Sequence, residues 1–290
     1  MSKLQVAACA AGISIALAFP IASDVAGNVA NGAALVAAAT ESPATPPNFT
    51  GMWTRGLTAT TPFRQPASGP GPVRSVNASG AVTRDNGAGY RQGDASAPIL
   101  QPWAAEVVRA HAASEHSGVP VRSAKETCWP MGVPYILELN LRAEILQSGK
   151  QIVFLYEELM QQRTVRLDAA HPANLKPTWF GDSVAHWEGD TLAVDTIGLD
   201  PRTWIDGFGT PHTDKLHVVE RYKLRDPSTL DVFFTVEDPG AFTTPWSAVV
   251  TYRKDRSTGE PYTEIVCAEN DRDASTGDFY PIPTAERSDF

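Results

Sequence analysis

Apolar and polar residues alternate along the stretch from Trp179 to Gly198, and the alternation reverses at Glu188-Gly189-Asp190. A period of two on either side of a Gly beside an Asp predicts a β-hairpin with arms at 183–188 and 191–197. On the first arm Ser183, Ala185 and Trp187 share a face, and on the second Leu192, Val194 and Thr196 do. Runs of similar length and period, separated by turn residues, predict further strands at 135–139, 143–147, 151–158, 163–168, 216–224, 229–236, 247–253 and 263–268. Ser148-Gly-Lys150 and Asp226-Pro-Ser228 read as hairpin connections. Residues 102–115 have a helical period instead. Pro102 suits a first turn, Trp103, Val107 and Ala110 recur beside Ala104, Val108 and Ala112, and Gly118 follows the end.

These elements predict a mainly β fold, an antiparallel lipocalin-like barrel with one N-terminal helix. Closing the sheet removes exposed edges, and eight or more strands leave room for a small ligand inside. Upstream, residues 40–100 are rich in Pro, Gly, Ser, Ala and Thr and too poor in apolar runs to close a core of their own. They predict a long extended segment, which Phe49, Met52 and Trp53 pin onto the domain. With 290 residues and 42% apolar content, one core is enough. The expected organisation is a signal peptide at 1–39, the Pro/Gly-rich segment at 40–100, and a helix-plus-barrel domain at 101–290.

Charge and the first residues add a compartment and narrow the partners. Lys3, a mostly apolar run from Leu4 to Ile21 and the small residues after it have the outline of an export signal. Cleavage is expected after Ala39 in preference to Ala18 or Ala22, giving a periplasmic or secreted protein free of the membrane. Val6-Ala-Ala-Cys9 precedes the apolar run instead of following it, which argues against a lipid anchor. A net charge of -9, a pI near 5.2 and the lack of a basic stripe argue against a nucleic-acid partner. Removing Cys9 leaves Cys128 and Cys267, which either form one disulfide in an oxidising compartment or stay as two buried thiols. No CxxC or Cys/His cluster exists to suggest a zinc-finger-like site.

Several phrases carry a resemblance that spans nearly the whole mature chain. They are Pro47-Asn-Phe-Thr-Gly-Met-Trp53, Cys128-Trp-Pro-Met-Gly-Val-Pro134, the 163–168 strand with His171-Pro172, Gly181-Asp-Ser183, Trp187-Glu-Gly-Asp-Thr-Leu192 with Val194-Asp-Thr196, Glu220-Arg-Tyr222, Asp238-Pro239, Pro245-Trp246 and Cys267-Ala-Glu-Asn270. Together they resemble a large family of exported bacterial proteins, mostly without an assigned reaction. The chain departs from that pattern at Ala169-Ala170, where the family usually has Gly-Arg, and at Gly181-Asp-Ser183, where it often has Gly-His-Ser. The resemblance implies a compartment and, through relatives that sit among genes for plant-derived aromatics, tilts the expected substrate towards a phenolic molecule.

The candidate chemistry follows from strand parity. In 216–224, Leu216, Val218, Tyr222 and Leu224 share a face, and Glu220 falls in the middle of it. A carboxylate on an apolar face is costly to bury unless protonated or paired, so Glu220 is either a general acid or base or half of an ion pair with Arg163 or Arg166. His212, just before that strand, is a second proton carrier, with Asp214 to orient it; His171, at the end of another strand, is a third. Trp179, Trp187, Trp204, Tyr156, Tyr222 and Trp246 supply either pocket walls or plain core. His212, Asp214 and His217 also suggest a zinc site, although strand parity turns His217 away from Glu220. No Gly-x-Ser-x-Gly elbow or phosphate-cradling loop is present. The leading expectation is a cofactor-independent lyase or isomerase, with Glu220, His212 and His171 moving protons, Asp214 orienting His212 and Arg163 steadying negative charge. The alternatives are a non-catalytic carrier of small hydrophobic molecules and a metal-dependent hydrolase.

Overall fold

Each strand that alternates in sequence puts one set of side chains inside and the other outside, and the inner sets meet around a common axis. The computed structural model describes residues 45–55, 63–77, 92–117, 127–256 and 265. Its barrel uses β1 (Gly51–Thr54), β4 (Ala143–Gln147), β5 (Gln151–Tyr156), β6 (Gln161–Leu167), β7 (Asp182–Glu188), β8 (Thr191–Ile197), β9 (His217–Asp226), β10 (Thr229–Glu237) and β11 (Trp246–Lys254). The closed order is β1-β11-β10-β9-β8-β7-β6-β5-β4, with β1 returning to β4. A separate two-stranded ribbon joins β2 (Ser75–Val76) to β3 (Gln92–Gly93). The mainly β barrel with, among the described residues, a single α-helix, α1 (Pro102–His116), is the fold class that the sequence predicts.

Three details differ from the sequence reading. Residues 135–138 form a 3-10 turn whose four side chains are all buried, so their apolar run reflects packing and not strand pairing. The sheet is antiparallel except between β6 and β7, where Val165 lies beside Ser183 and Leu167 beside Ala185 in parallel register. A crossover at 168–181 makes that pairing possible. The closing strand is the four-residue β1 inside the Pro/Gly-rich segment, with Trp53 opposite both Lys254 and Ala143. The predicted strand at 263–268 lies outside the described residues, apart from Ile265, which belongs to no element.

The barrel interior is filled. Val218, Tyr222, Val232, Phe234, Trp246, Val250, Leu192 and Val194 are at most 1% exposed. The void between Trp53, Phe154, Tyr156, Tyr222 and Tyr252 measures about 10 Å³, which is room for a single water. Phe234 packs edge-on to Phe63 and to Trp246, which extends the core into the Pro/Gly-rich segment. The expected room for a ligand is therefore taken up by side chains.

Helix α1 lies over the loops that connect β8 to β9 and β10 to β11. Antiparallel alternation puts both loops at the same barrel end. Ala104 and Val108 are fully buried, and the Trp103 indole N–H donates to the Gly240 carbonyl at 2.7 Å. His111 stacks at 5.0 Å on Trp204 and passes so close to Gly209 that a Cβ there would lie 1.9 Å from its Nδ1. Gly209 also has φ +72°, which suits glycine. Gly209→Ala is expected to cost about 1–3 kcal/mol through strain and the displaced imidazole, read as a lower denaturation midpoint.

Candidate functional site

Strand register brings four of the sequence candidates together in the barrel core. Arg163 from β6 and Glu220 from β9 are 2% and 0% exposed and form a bidentate pair, Nη1 to Oε1 at 3.0 Å and Nη2 to Oε2 at 2.5 Å. The Tyr222 hydroxyl donates to Glu220 Oε1 at 2.7 Å. Arg163 donates further to Ser183 Oγ and Thr196 Oγ1, which the sequence pattern put on the hairpin's shared faces but did not mark as site residues. Phe154 lies under the guanidinium and Tyr156 beside Phe154. Burial works against the Arg163 charge, but the facing Glu220 carboxylate and the tyrosine hydroxyls outweigh it and hold the group above its ordinary pKa. Burial above all pushes the Tyr156 and Tyr222 phenols up. Arg163, Glu220, Tyr222, Ser183 and Thr196 satisfy one another, whereas the buried Tyr156 hydroxyl has no hydrogen-bond partner among the described residues, and the void beside it is no larger than one water.

His171 and His212 do not meet there or anywhere else. His171 lies on the outer wall, with Nδ1 2.7 Å from Asp182 Oδ2 and Nε2 3.0 Å from Asp195 Oδ1. Asp182 also receives Arg166, and Asp195 Oδ2 faces His217 Nε2 at 3.1 Å. His212 is 3% exposed within the β8–β9 loop, its Nε2 2.7 Å from Thr203 Oγ1 and its Nδ1 2.8 Å from the Thr213 carbonyl. Burial lowers its pKa, against the opposing effects of the Thr213 carbonyl and the charges of Asp238 and Asp200. Asp214 is exposed and does not orient His212. The carboxylate that fixes this loop is Asp238, which accepts from the Thr213 N–H and hydroxyl. Among the described residues no three His, Cys, Asp or Glu side chains gather as a metal site.

The tryptophans disperse as well. Trp187 packs on Phe49, Trp204 on His111, and Trp246 between Phe234 and Phe242. Trp179 pairs with the partly exposed Trp129, and Arg202, held by Asp200, lies over both rings. Cys128 is half-buried, and Cys267 lies outside the described residues.

A cavity of ligand size occurs instead between the Pro/Gly-rich segment and the β10–β11 loop. It measures about 420 Å³ and is walled by Pro70, Pro72, Ala97, Pro98 and Ile99. Gln65, Arg74, Asp94 and Thr244 place polar groups around it. Backbone hydrogen bonds hold the walls: Ser247 donates to Pro70, Thr243 to Ile99 and Asp94 to Arg74, at 2.8–3.0 Å. Arg64 exchanges two backbone bonds with Val249, which fastens the segment to β11. Sequence reasoning missed this site because prolines carry no periodicity. The available signal was Arg74 itself, a charge set in a rigid Pro-Gly-Pro-Val-Arg run.

No protein-family model matches this chain, and no curated protein matches it.

Proposed function

We propose that this protein binds a small, mostly apolar molecule without transforming it, in the cleft between the proline-rich segment and the β10–β11 loop. One observation carries the reading: about 420 Å³ of space lies in that cleft against about 10 Å³ beside the barrel-core network. Small-molecule sites have volumes of roughly 300–1,000 Å³ and mostly apolar walls with a few polar groups. The test is an NMR-detected fragment screen of the full chain, repeated on Thr244→Trp, whose indole would occupy the cleft. Ligands are expected to weaken about tenfold or more in the variant and to be recovered chemically unaltered. Ligands that bind both forms equally would remove the cleft from the reading.

A second reading, cofactor-independent acid–base chemistry of the lyase or isomerase kind, draws on His171. Its two ring nitrogens face the two carboxylates of Asp182 and Asp195. The partly exposed imidazole and its two carboxylates form a proton-carrying array at the barrel's outer wall, in which a substrate has to displace one carboxylate to reach a ring nitrogen. Turnover of a screened compound that survives unchanged in His171→Asn would end that reading.

Export, membership of the exported bacterial family and a Cys128–Cys267 bridge belong to the same proposal. The signal-like N-terminus and the shared phrases support the first two, and the presence of just two cysteines once Cys9 is removed supports the third. Protein recovered from an oxidising compartment and unfolded without reductant is expected to show no free thiol on titration. Two free thiols per chain would remove the bridge.

A further inference from the structure

We infer that the cleft selects a monocarboxylate with a flat apolar body, received by Arg74. The inference rests on the cleft reading above and names the class of molecule that the cleft takes. Among the described residues the Arg74 guanidinium has no hydrogen-bond acceptor. The nearest carboxylate, Asp94 Oδ2, stands 3.8 Å away, beyond hydrogen-bond distance. The Asp94 carboxylate is held in place through its other oxygen, Oδ1, which accepts from the Ser96 N–H and hydroxyl at 3.0 and 2.5 Å, so Oδ2 faces the guanidinium without bonding to it. Arg74 therefore offers a planar fork of donors at the cleft with its backbone fixed, the Asp94 N–H donating to the Arg74 carbonyl at 2.9 Å. Such a fork matches the two oxygens of a carboxylate in a bidentate pair, which a neutral amide cannot reproduce.

The walls complete the selection. Pro70, Pro72 and Pro98 have no backbone N–H, so beside Ile99 they face a ligand with rigid apolar rings that ask for no hydrogen bond. A flat ring can lie on them without leaving a polar group unpaired. Asp94 sets the upper limit on charge: one carboxylate can take the open edge of the Arg74 fork, while a second negative group in the cleft would lie near the Asp94 carboxylate and be repelled.

Isothermal titration of the full chain with trans-cinnamate and with its neutral amide tests this, in the wild type and in Arg74→Gln and Arg74→Lys. Arg74 is 53% exposed, so neither substitution threatens folding. Cinnamate is expected to bind about tenfold or more tightly than the amide, an advantage lost in Arg74→Gln and partly kept in Arg74→Lys. Equal binding of acid and amide, unmoved by Arg74→Gln, would overturn the carboxylate inference. Binding of neutral fragments that Thr244→Trp weakens, with no binding of cinnamate, would also overturn it and leave the cleft reading intact. Absence of any ligand sensitive to Thr244→Trp would sink both.

Discussion

Glu220→Gln is expected to destabilise the protein by about 3–5 kcal/mol, read as a lower urea midpoint at an unchanged m-value. The substitution keeps the side-chain volume and an acceptor for the Tyr222 hydroxyl, but it leaves the Arg163 guanidinium charged at 2% exposure without a countercharge. Neighbouring Ser183 and Thr196 contribute neutral oxygens only, and these cannot replace the carboxylate. Arg163→Met has the mirror defect, a buried carboxylate facing a thioether. The double variant Arg163→Met/Glu220→Leu is expected to cost less than either single change, because no ion is then left unpaired. If Glu220→Gln were as stable as the wild type, the pair would not be a structural element, and a proton-transfer role for Glu220 would regain its force.

Asp206→Asn is expected to reshape the dependence of stability on pH. Burial first, and then the neighbouring Glu138 charge, pushes the Asp206 carboxyl up to about 7, against the Thr210 and Phe208 donors. A folded pKa above the unfolded 3.8 means that the fold keeps a proton which the unfolded chain releases. The stability contributed by that proton is full below pH 3.8, declines as pH rises, and is lost above about 7. Asparagine is neutral throughout and can keep an acceptor for the Phe208 and Thr210 N–H groups. The variant should therefore gain on the wild type between pH 4 and pH 8, by up to roughly 4 kcal/mol at 1.36 kcal/mol per pH unit. His212 works in the opposite sense. Its folded pKa lies below 6.5, so its contribution is present above 6.5 and lost as pH falls. Because His212 is common to both proteins, the difference between the Asp206→Asn and wild-type profiles isolates the Asp206 contribution. A difference between wild type and variant that stays constant from pH 4 to pH 8 would show that Asp206 is already ionised in the fold.

Strand parity made much of the barrel legible in advance. The alternation in 216–224 put Glu220 on the Val218 and Tyr222 face and named Arg163 as one of two partners for it. The hairpin at Gly189-Asp190 formed in the expected register, with Glu188 opposite Thr191. Parity says which face a residue takes, but not how much space that face encloses. The network's Phe154, Tyr156 and Tyr222 pack against one another and leave no chamber. Nor does it fix long-range partners. The parallel pairing of β6 with β7 depends on a crossover with no periodicity, and His212 finds Thr203 across a loop. The cleft is the extreme case, since its walls come from residues that form almost no regular structure and become a site only when fastened to β11 and its loop.

Because β1 pairs with both β4 and β11, the seam of the cylinder is sewn by segments about ninety and about two hundred residues apart in the chain. Local hairpins can form early, but the last seam must wait until distant ends find each other, so folding should be slow for the protein's size. Until that moment β4 and β11 both have bare edges, and a second chain could pair with either. The few residues around Trp53 thus guard against aggregation as well as hold the core.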